Sequence, residues 1–131
     1  DISAGTLDDK MFSVVAKFGA PYIMMHMQGN PQTMQQKPQY NNVVQEVLQY
    51  FIQKTEAAAK AGINDIIIDP GFGFGKTLEH NYTLLQHLNE FKILRNPLLV
   101  GLSRKSMVCR LLNVKPEDAL NGTAALHAIA L

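Results

Sequence analysis

The chain is 131 residues long, 47% hydrophobic and 18% charged, an ordinary globular composition sufficient for one domain, residues 1–131, or part of one. Twelve Lys and Arg against eleven Asp and Glu leave a net charge of +1 with no basic stripe, so a nucleic-acid partner has no electrostatic footprint. The single Cys109 rules out an internal disulfide, no apolar run approaches a membrane span, and nothing near Asp1 has signal-peptide form; a soluble protein of the reducing cytoplasm is expected.

In chain order, Thr6-Leu7-Asp8-Asp9 reads as a helix start, with Met11, Phe12, Val15 and Phe18 on one face and Gly19 as the stop. Pro21 opens the apolar run from Tyr22 to Met27, which is short enough for a buried strand. A polar connector with Pro31 and Pro38 leads to Val44, Val47, Leu48, Phe51 and Ile52, spaced as a long amphipathic helix that lasts until Gly62. Ile63 to Asp69 is the next strand, Leu84, Leu85, Leu88 and Phe91 mark the next helix, and Pro97 to Ser103 is the third strand. Met107, Val108, Leu111 and Leu112 follow on a helix. The last segment, Gly122 to Leu131, stops inside a periodic apolar pattern without a cap, and position 1 is Asp rather than Met, so a slice of a longer protein is expected.

Strands that are apolar on both faces and separated by helices belong to a parallel sheet covered by helices. Met25 to Asp69 spans 44 residues and Asp69 to Ser103 spans 34, plausible repeats for a (β/α)₈ barrel with one longer excursion, with a doubly wound sheet as the alternative. In either arrangement the polar and glycine-rich residues collect at the C-terminal strand ends, where parallel α/β folds place their ligands.

The most informative of these ends is Asp69-Pro70-Gly71-Phe72-Gly73-Phe74-Gly75-Lys76-Thr77. A Walker-type loop would need its first glycine at position 70, which is Pro70, and the dinucleotide fingerprint needs two residues between its second and third glycines, whereas these alternate. Asp69 can cap the turn that follows it, or present two acceptor oxygens to a planar ligand with adjacent N–H donors, such as the amidine-like edge of guanine or pterin. In Ser103-Arg104-Lys105-Ser106, Ser103 is placed to cap the next helix, while two cations in the first helical turn oppose its dipole unless they have a target. An anionic or electron-rich ligand is that target, with Ser106 and the helix-start amides for a carboxylate and Lys105 for a carbonyl oxygen or ring nitrogen.

Met24 to Met27 invites a soft-metal reading, but strand alternation puts Met25 and Met27 on one face and His26 on the other, so no metal site is read there. Met25 suits a polarizable floor for a flat ring, and His26 a hydrogen-bonded strand-end residue. His80, His87 and His127 read as ordinary helical residues, and no Ser-His-Asp or paired-carboxylate spacing emerges.

Taken in order, Asp1-Ile2-Ser3-Ala4-Gly5, Met25-His26-Met27-Gln28-Gly29, the Asp69 to Lys76 run and Ser103-Arg104-Lys105-Ser106 closely resemble dihydropteroate synthase, the pterin-binding transferase family of folate biosynthesis that sulfonamides target. The resemblance covers the whole chain. It implies part of a (β/α)₈ barrel, from the end of strand 4 through strand 7 and the following helices, incomplete at both ends. It implies condensation of (7,8-dihydropterin-6-yl)methyl diphosphate with 4-aminobenzoate, giving 7,8-dihydropteroate and pyrophosphate. By motif, Asp69 would pair with the pterin's pyrimidine edge and Lys105, the catalytic candidate, with its carbonyl and ring nitrogen. Ile2, Met25 and Gly101 would line the pterin slot; Phe74, Lys105 and Ser106 would border the aminobenzoate, with Arg104 a supporting cation. Mg²⁺ held by a loop outside this chain would shield the pyrophosphate, an Arg-x-His motif beyond the chain would bind it, and a pterin-contacting Asn would stand just before Asp1. The full-length protein would be a homodimer. A corrinoid-dependent pterin methyltransferase and a non-catalytic pterin or nucleotide-binding module are the alternatives; turnover with aminobenzoate and release of pyrophosphate separate them.

Overall fold

The computed structural model describes residues 1–34 and 36–131. Two strands, β1 (Tyr22–Met25) and β2 (Ile66–Asp69), pair in parallel with Tyr22 opposite Ile66 and Met25 opposite Asp69. A first helix, α1 (Met11–Phe18), precedes them, and the helix α2 (Val43–Lys60) connects them. Parallel pairing needs such a crossover, and the register brings the C-terminal ends of both strands to the same edge.

The bounds of α1 and α2 show how side chains and a glycine satisfy exposed backbone groups. At the start of α2, the Asn42 side chain accepts from the Gln45 amide, while Glu46 accepts from the Asn41 and Asn42 amides. The helix buries Val43, Val44, Val47, Phe51 and Ala58. Helix α1 is entered through Asp8, whose carboxylate accepts from the Lys10 amide, and ends at Gly19 in the left-handed region. Met11, Phe12, Val15 and Ala16 pack on the core, but Phe18 is 75% exposed, so the apolar face expected to include it stops short of the helix end.

The helix expected through Leu84 to Phe91 is two pieces: α3 (Leu78–Gln86) and a 3₁₀ segment, Leu88–Leu94. His87 leaves the α conformation between them, and its Nδ1 lies 2.7 Å from Glu90 Oε1. Leu85, Leu88 and Phe91 are three apart, a spacing that keeps side chains on one face in either helix type, so periodicity does not tell the two apart.

The expected third strand is reduced to one parallel pairing of Leu98 with Ile68. Ile68 donates to Pro97 O at 3.0 Å and Leu99 donates to Ile68 O at 2.8 Å, but Pro97 has no N–H to extend the ladder. After it come α4 (Ser106–Leu112), a short 3₁₀ turn, Pro116–Asp118, and α5 (Leu120–Ala130).

Met24, Ile68, Val47, Phe51, Phe72, Leu84 and Leu102 are fully buried, so the core lies between the two strands and the α2 and α3 helices, and the glycine loop contributes Phe72 to it. Among the described residues no helix is long and apolar enough to cross a membrane.

Candidate functional site

Beyond Asp69 the chain turns back over the end of β1. Gly71 has φ +70°, and a Cβ there would lie 2.0 Å from His26 O, so only glycine lets the loop pass this close to β1's continuation. The loop is then fastened residue by residue. Gly71 donates to Asp69 Oδ1 at 2.8 Å, Gly73 to Asn81 Oδ1 at 2.7 Å and Phe74 to Gly71 O at 3.1 Å. Tyr40 donates its hydroxyl to Gly75 O at 2.9 Å. Asn81, buried on α3, also donates to Thr77 O at 2.7 Å, which ties the loop to the first turn of that helix. Thr77 caps α3 reciprocally with His80, so His80 has a structural part that its reading as an ordinary helical residue missed.

Asp69 thus has the turn-capping use expected of it. One oxygen holds the Gly71 amide, while its other oxygen accepts from no donor among the described residues. Burial raises its pKa; the Gly71 amide and the charges of Lys105 and Lys76 work in the opposite direction. Met25 pairs with Asp69 across the register and is buried, its Cγ 3.1 Å from where a Cβ on Gly71 would stand.

Lys105 reaches the same edge from the other side. Its Nζ donates to Phe72 O at 2.5 Å, stands 5.1 Å from the centre of the Phe74 ring, and lies 3.6 Å from the position of a Cβ on Gly101. Burial lowers its pKa and the charge of Asp69 raises it, just as the charge of Lys105 lowers that of Asp69, so the two groups act on each other across the strand ends.

Ile2 joins this edge through the backbone of residue 1, which donates to Ile23 O at 2.9 Å and accepts from the Met25 amide at 3.1 Å. The Asp1 carboxylate fixes the segment by accepting from Ser3, Gly5 and the Tyr22 hydroxyl. Ile2 is 42% exposed there.

Two expectations around residue 103 are corrected. The helix starts at Ser106, so Ser103 does not cap it, and the residue at the cap position is Lys105, whose side chain makes no capping bond. Arg104 and Lys105 consequently precede the helix rather than occupying its first turn. Arg104 is exposed with φ 50°, and its amide donates to Thr123 Oγ1, an anchor on α5 that bends the chain so that Lys105 can turn back toward Phe72. Ser106, the first residue of α4, borders a cavity of about 280 Å³ with Lys76, Thr77, Asn81 and Arg110.

Lys76 and His26 form the polar base of the site. Lys76 is 4% exposed, its Nζ 2.9 Å from His26 Nδ1, and it donates to Phe74 O at 3.0 Å and Gly71 O at 3.1 Å. Burial pushes its amine down to about 7, with Asp69 pulling upward and Lys105 adding to the lowering. Burial, and next the charge of Lys76, push the His26 imidazole down to about 3, so it is a neutral acceptor at neutral pH. His26 is the hydrogen-bonded strand-end residue expected. Lys76, Asn81 and Tyr40 were not singled out by sequence, and a lysine closing a glycine-rich loop was the only signal available.

The residues 1–131 match the family model described as pterin binding enzyme. A curated dihydropteroate synthase of Escherichia coli (strain K12) is 52% identical over 117 residues, 88% of this chain and 42% of the relative. The Yersinia pestis dihydropteroate synthase solved as a sulfonamide drug complex superposes with a TM-score of 0.95 at 45% identity, over 99% of this chain and 48% of that one. The Thermus thermophilus dihydropteroate synthase solved with 4-aminobenzoate gives a TM-score of 0.93 at 39% identity, over 99% of this chain and 54% of that one. The chain thus spans about half the length of these relatives and shares their α/β fold. With a family model matched along its whole length and relatives of this likeness, the chain belongs to the pterin binding enzymes.

Proposed function

We propose that residues 1–131 are a pterin-binding domain, incomplete at both ends, of a dihydropteroate synthase, which joins (7,8-dihydropterin-6-yl)methyl diphosphate to 4-aminobenzoate. The observation that carries this reading is the Asp69 carboxylate, with one oxygen left open, opposite the Lys105 ammonium at the end of a parallel strand pair. A pterin's pyrimidine edge offers adjacent N–H donors to Asp69. Lys105 gives one donor to Phe72 O and retains two for the pterin carbonyl and ring nitrogen. Met25, Ile2 and Gly101 would line the pterin slot, and Phe74, Lys105 and Ser106 the aminobenzoate, with Arg104 in a supporting role. The Thermus thermophilus relative solved with 4-aminobenzoate supports that second substrate.

In the reaction the aminobenzoate nitrogen forms a bond to the exocyclic pterin carbon, the carbon–oxygen bond to the diphosphate breaks, its electron pair leaves with pyrophosphate, and the nitrogen loses a proton. Positive charge developing on that carbon is delocalised by the electron-rich ring, so the protein orients two planes and stabilises charge without a side-chain nucleophile. The Mg²⁺ that the family resemblance implies would be held by a loop outside this chain and would shield the pyrophosphate, and no step here depends on it. An arc of a (β/α)₈ barrel, from the end of strand 4 through strand 7, a homodimeric full-length protein and a cytoplasmic location complete the reading.

The test uses the full-length protein. Asp69→Asn places an NH₂ against ligand donors, and a mispaired buried edge costs on the order of 1–3 kcal/mol, so calorimetric pterin affinity should fall at least about fivefold. Lys105→Ala should lower pyrophosphate release by at least about tenfold. Unchanged affinity in the first variant and unchanged turnover in the second would reject the reading.

A further inference from the structure

The loop from Gly71 to Gly75 carries no regular hydrogen-bond ladder, yet it presents both the Phe72 carbonyl that Lys105 holds and the Phe74 ring that Lys105 faces. Something must fix it. Lys76 is the last residue of that loop, and its side chain folds back beneath it instead of reaching solvent. Its Nζ has three near partners: His26 Nδ1 at 2.9 Å, Phe74 O at 3.0 Å and Gly71 O at 3.1 Å, with His26 O farther away at 3.4 Å. In its protonated form the amine has three donors, and the near partners use all of them, provided that the imidazole carries its proton on Nε2 and accepts through Nδ1. The neutral state of His26 fits that requirement.

The two carbonyls bracket Phe72 and Gly73. Fixing Gly71 O and Phe74 O therefore fixes the orientation of the peptide that offers Phe72 O to Lys105. On the other side, Gly71 donates to Asp69 Oδ1, so the same clamp bears on the carboxylate. Tyr50 stacks edge-on to the His26 ring, centroids 4.8 Å apart, and Tyr40 lies 6.2 Å from it, which leaves the imidazole little freedom to swing away.

We propose that Lys76 is a positioning residue for the pterin end of the site: from beneath the loop it ties the carbonyls of Gly71 and Phe74 to His26, and so sets where Asp69 and Lys105 meet the ligand. The proposal rests on Asp69 and Lys105 being the pair that holds the pterin. Lys76 itself does not touch substrate. A purely structural lysine would affect stability throughout, whereas a positioning lysine affects the loop and one substrate.

The experiment compares full-length wild type with Lys76→Met, similar in size but without donors, and Lys76→Gln, which keeps two. In Lys76→Met the Gly73 and Phe74 amides should exchange hydrogen at least about tenfold faster while β1 and β2 amides keep their protection, and the KM for the pterin diphosphate should rise at least about tenfold with a smaller change for aminobenzoate. Lys76→Gln should recover part of both effects, and it serves as the measured variant if Lys76→Met does not fold. Unchanged loop exchange, equal loss of protection in loop and sheet, or a loosened loop with unchanged pterin KM would each overturn the proposal. A wild-type protein that neither binds pterin nor releases pyrophosphate would instead reject the reading of Asp69 and Lys105, and loop exchange would then still decide whether Lys76 holds the loop.

Discussion

Because one oxygen of Asp69 is engaged by the Gly71 amide, the carboxylate cannot rotate freely, and on the proposed reading a pterin would meet an acceptor whose direction is already set. Lys105 and Asp69 were legible in the sequence because each follows an apolar run closely, where a polar side chain has few places to go except the sheet edge. Lys76 was not legible, since a loop lysine is ordinarily solvated and its burial depends on the chain curling back over His26. His26 gives a pH test at this scale. Its native pKa lies near 3 against an ordinary value of 6.5, because of burial and then Lys76, while Tyr40 and Tyr50 pack against the ring. Between those values the unfolded chain binds a proton that the folded one does not, so the contribution is complete above pH 6.5 and is lost as pH falls toward 3. Urea midpoints of the full-length protein should therefore drop from about pH 7 to about pH 4, and His26→Gln should reduce that slope. Parallel slopes would show that His26 is not the group responsible.

At the level of elements, the parallel pairing and the crossover helix were readable from apolar runs and glycines, but the helix caps at Asn42 and Thr77 and the site-bearing turns were not. The Ser103 to Ser106 segment looked like a capped helix start, because a serine before an apolar run is the usual signal; the anchor that changes it, Thr123 Oγ1 accepting from the Arg104 amide, lies 19 residues away. The glycine loop shows the same dependence on distant groups. Gly71→Ala would bring a Cβ into His26 O at a φ that alanine rarely adopts, and neither atom is the flexible end of a side chain. The loop would have to lift off β1, carrying Phe72 and Phe74 with it. The expected outcome is a loss of stability of at least about 1 kcal/mol together with loss of pterin binding, read by denaturant titration and calorimetry on the full-length protein. Retention of both would mean that the loop's path is not set at Gly71.

On the scale of the molecule, the chain spans about half the length of its relatives, and on the proposed reading it carries the pterin edge and part of the aminobenzoate border. On the proposed reading the groups that neutralise departing pyrophosphate lie outside it, so purified residues 1–131 incubated with both substrates and Mg²⁺ should release no pyrophosphate above background. Phe18, Leu111, Leu120 and Ile129 are each more than half exposed, so the same preparation should self-associate in sedimentation velocity as its concentration rises. Sustained turnover by a monodisperse monomer would contradict both expectations.

The alternation along β2 carries a further consequence. Ile66 and Ile68 face the core, whereas Ile67 and Asp69 share the half-buried side. The parity of that strand is therefore part of the proposed binding site. Removing one residue between Ile66 and Asp69, or adding one, would move the carboxylate into the phase now occupied by the fully buried Ile68. Substitutions within the strand can be graded in their effects, but a single-residue change in its length would leave the chain either with a buried, unpaired charge or with a sheet out of register. Viable length variation is thus confined to even steps in β2 or to the connectors beyond it.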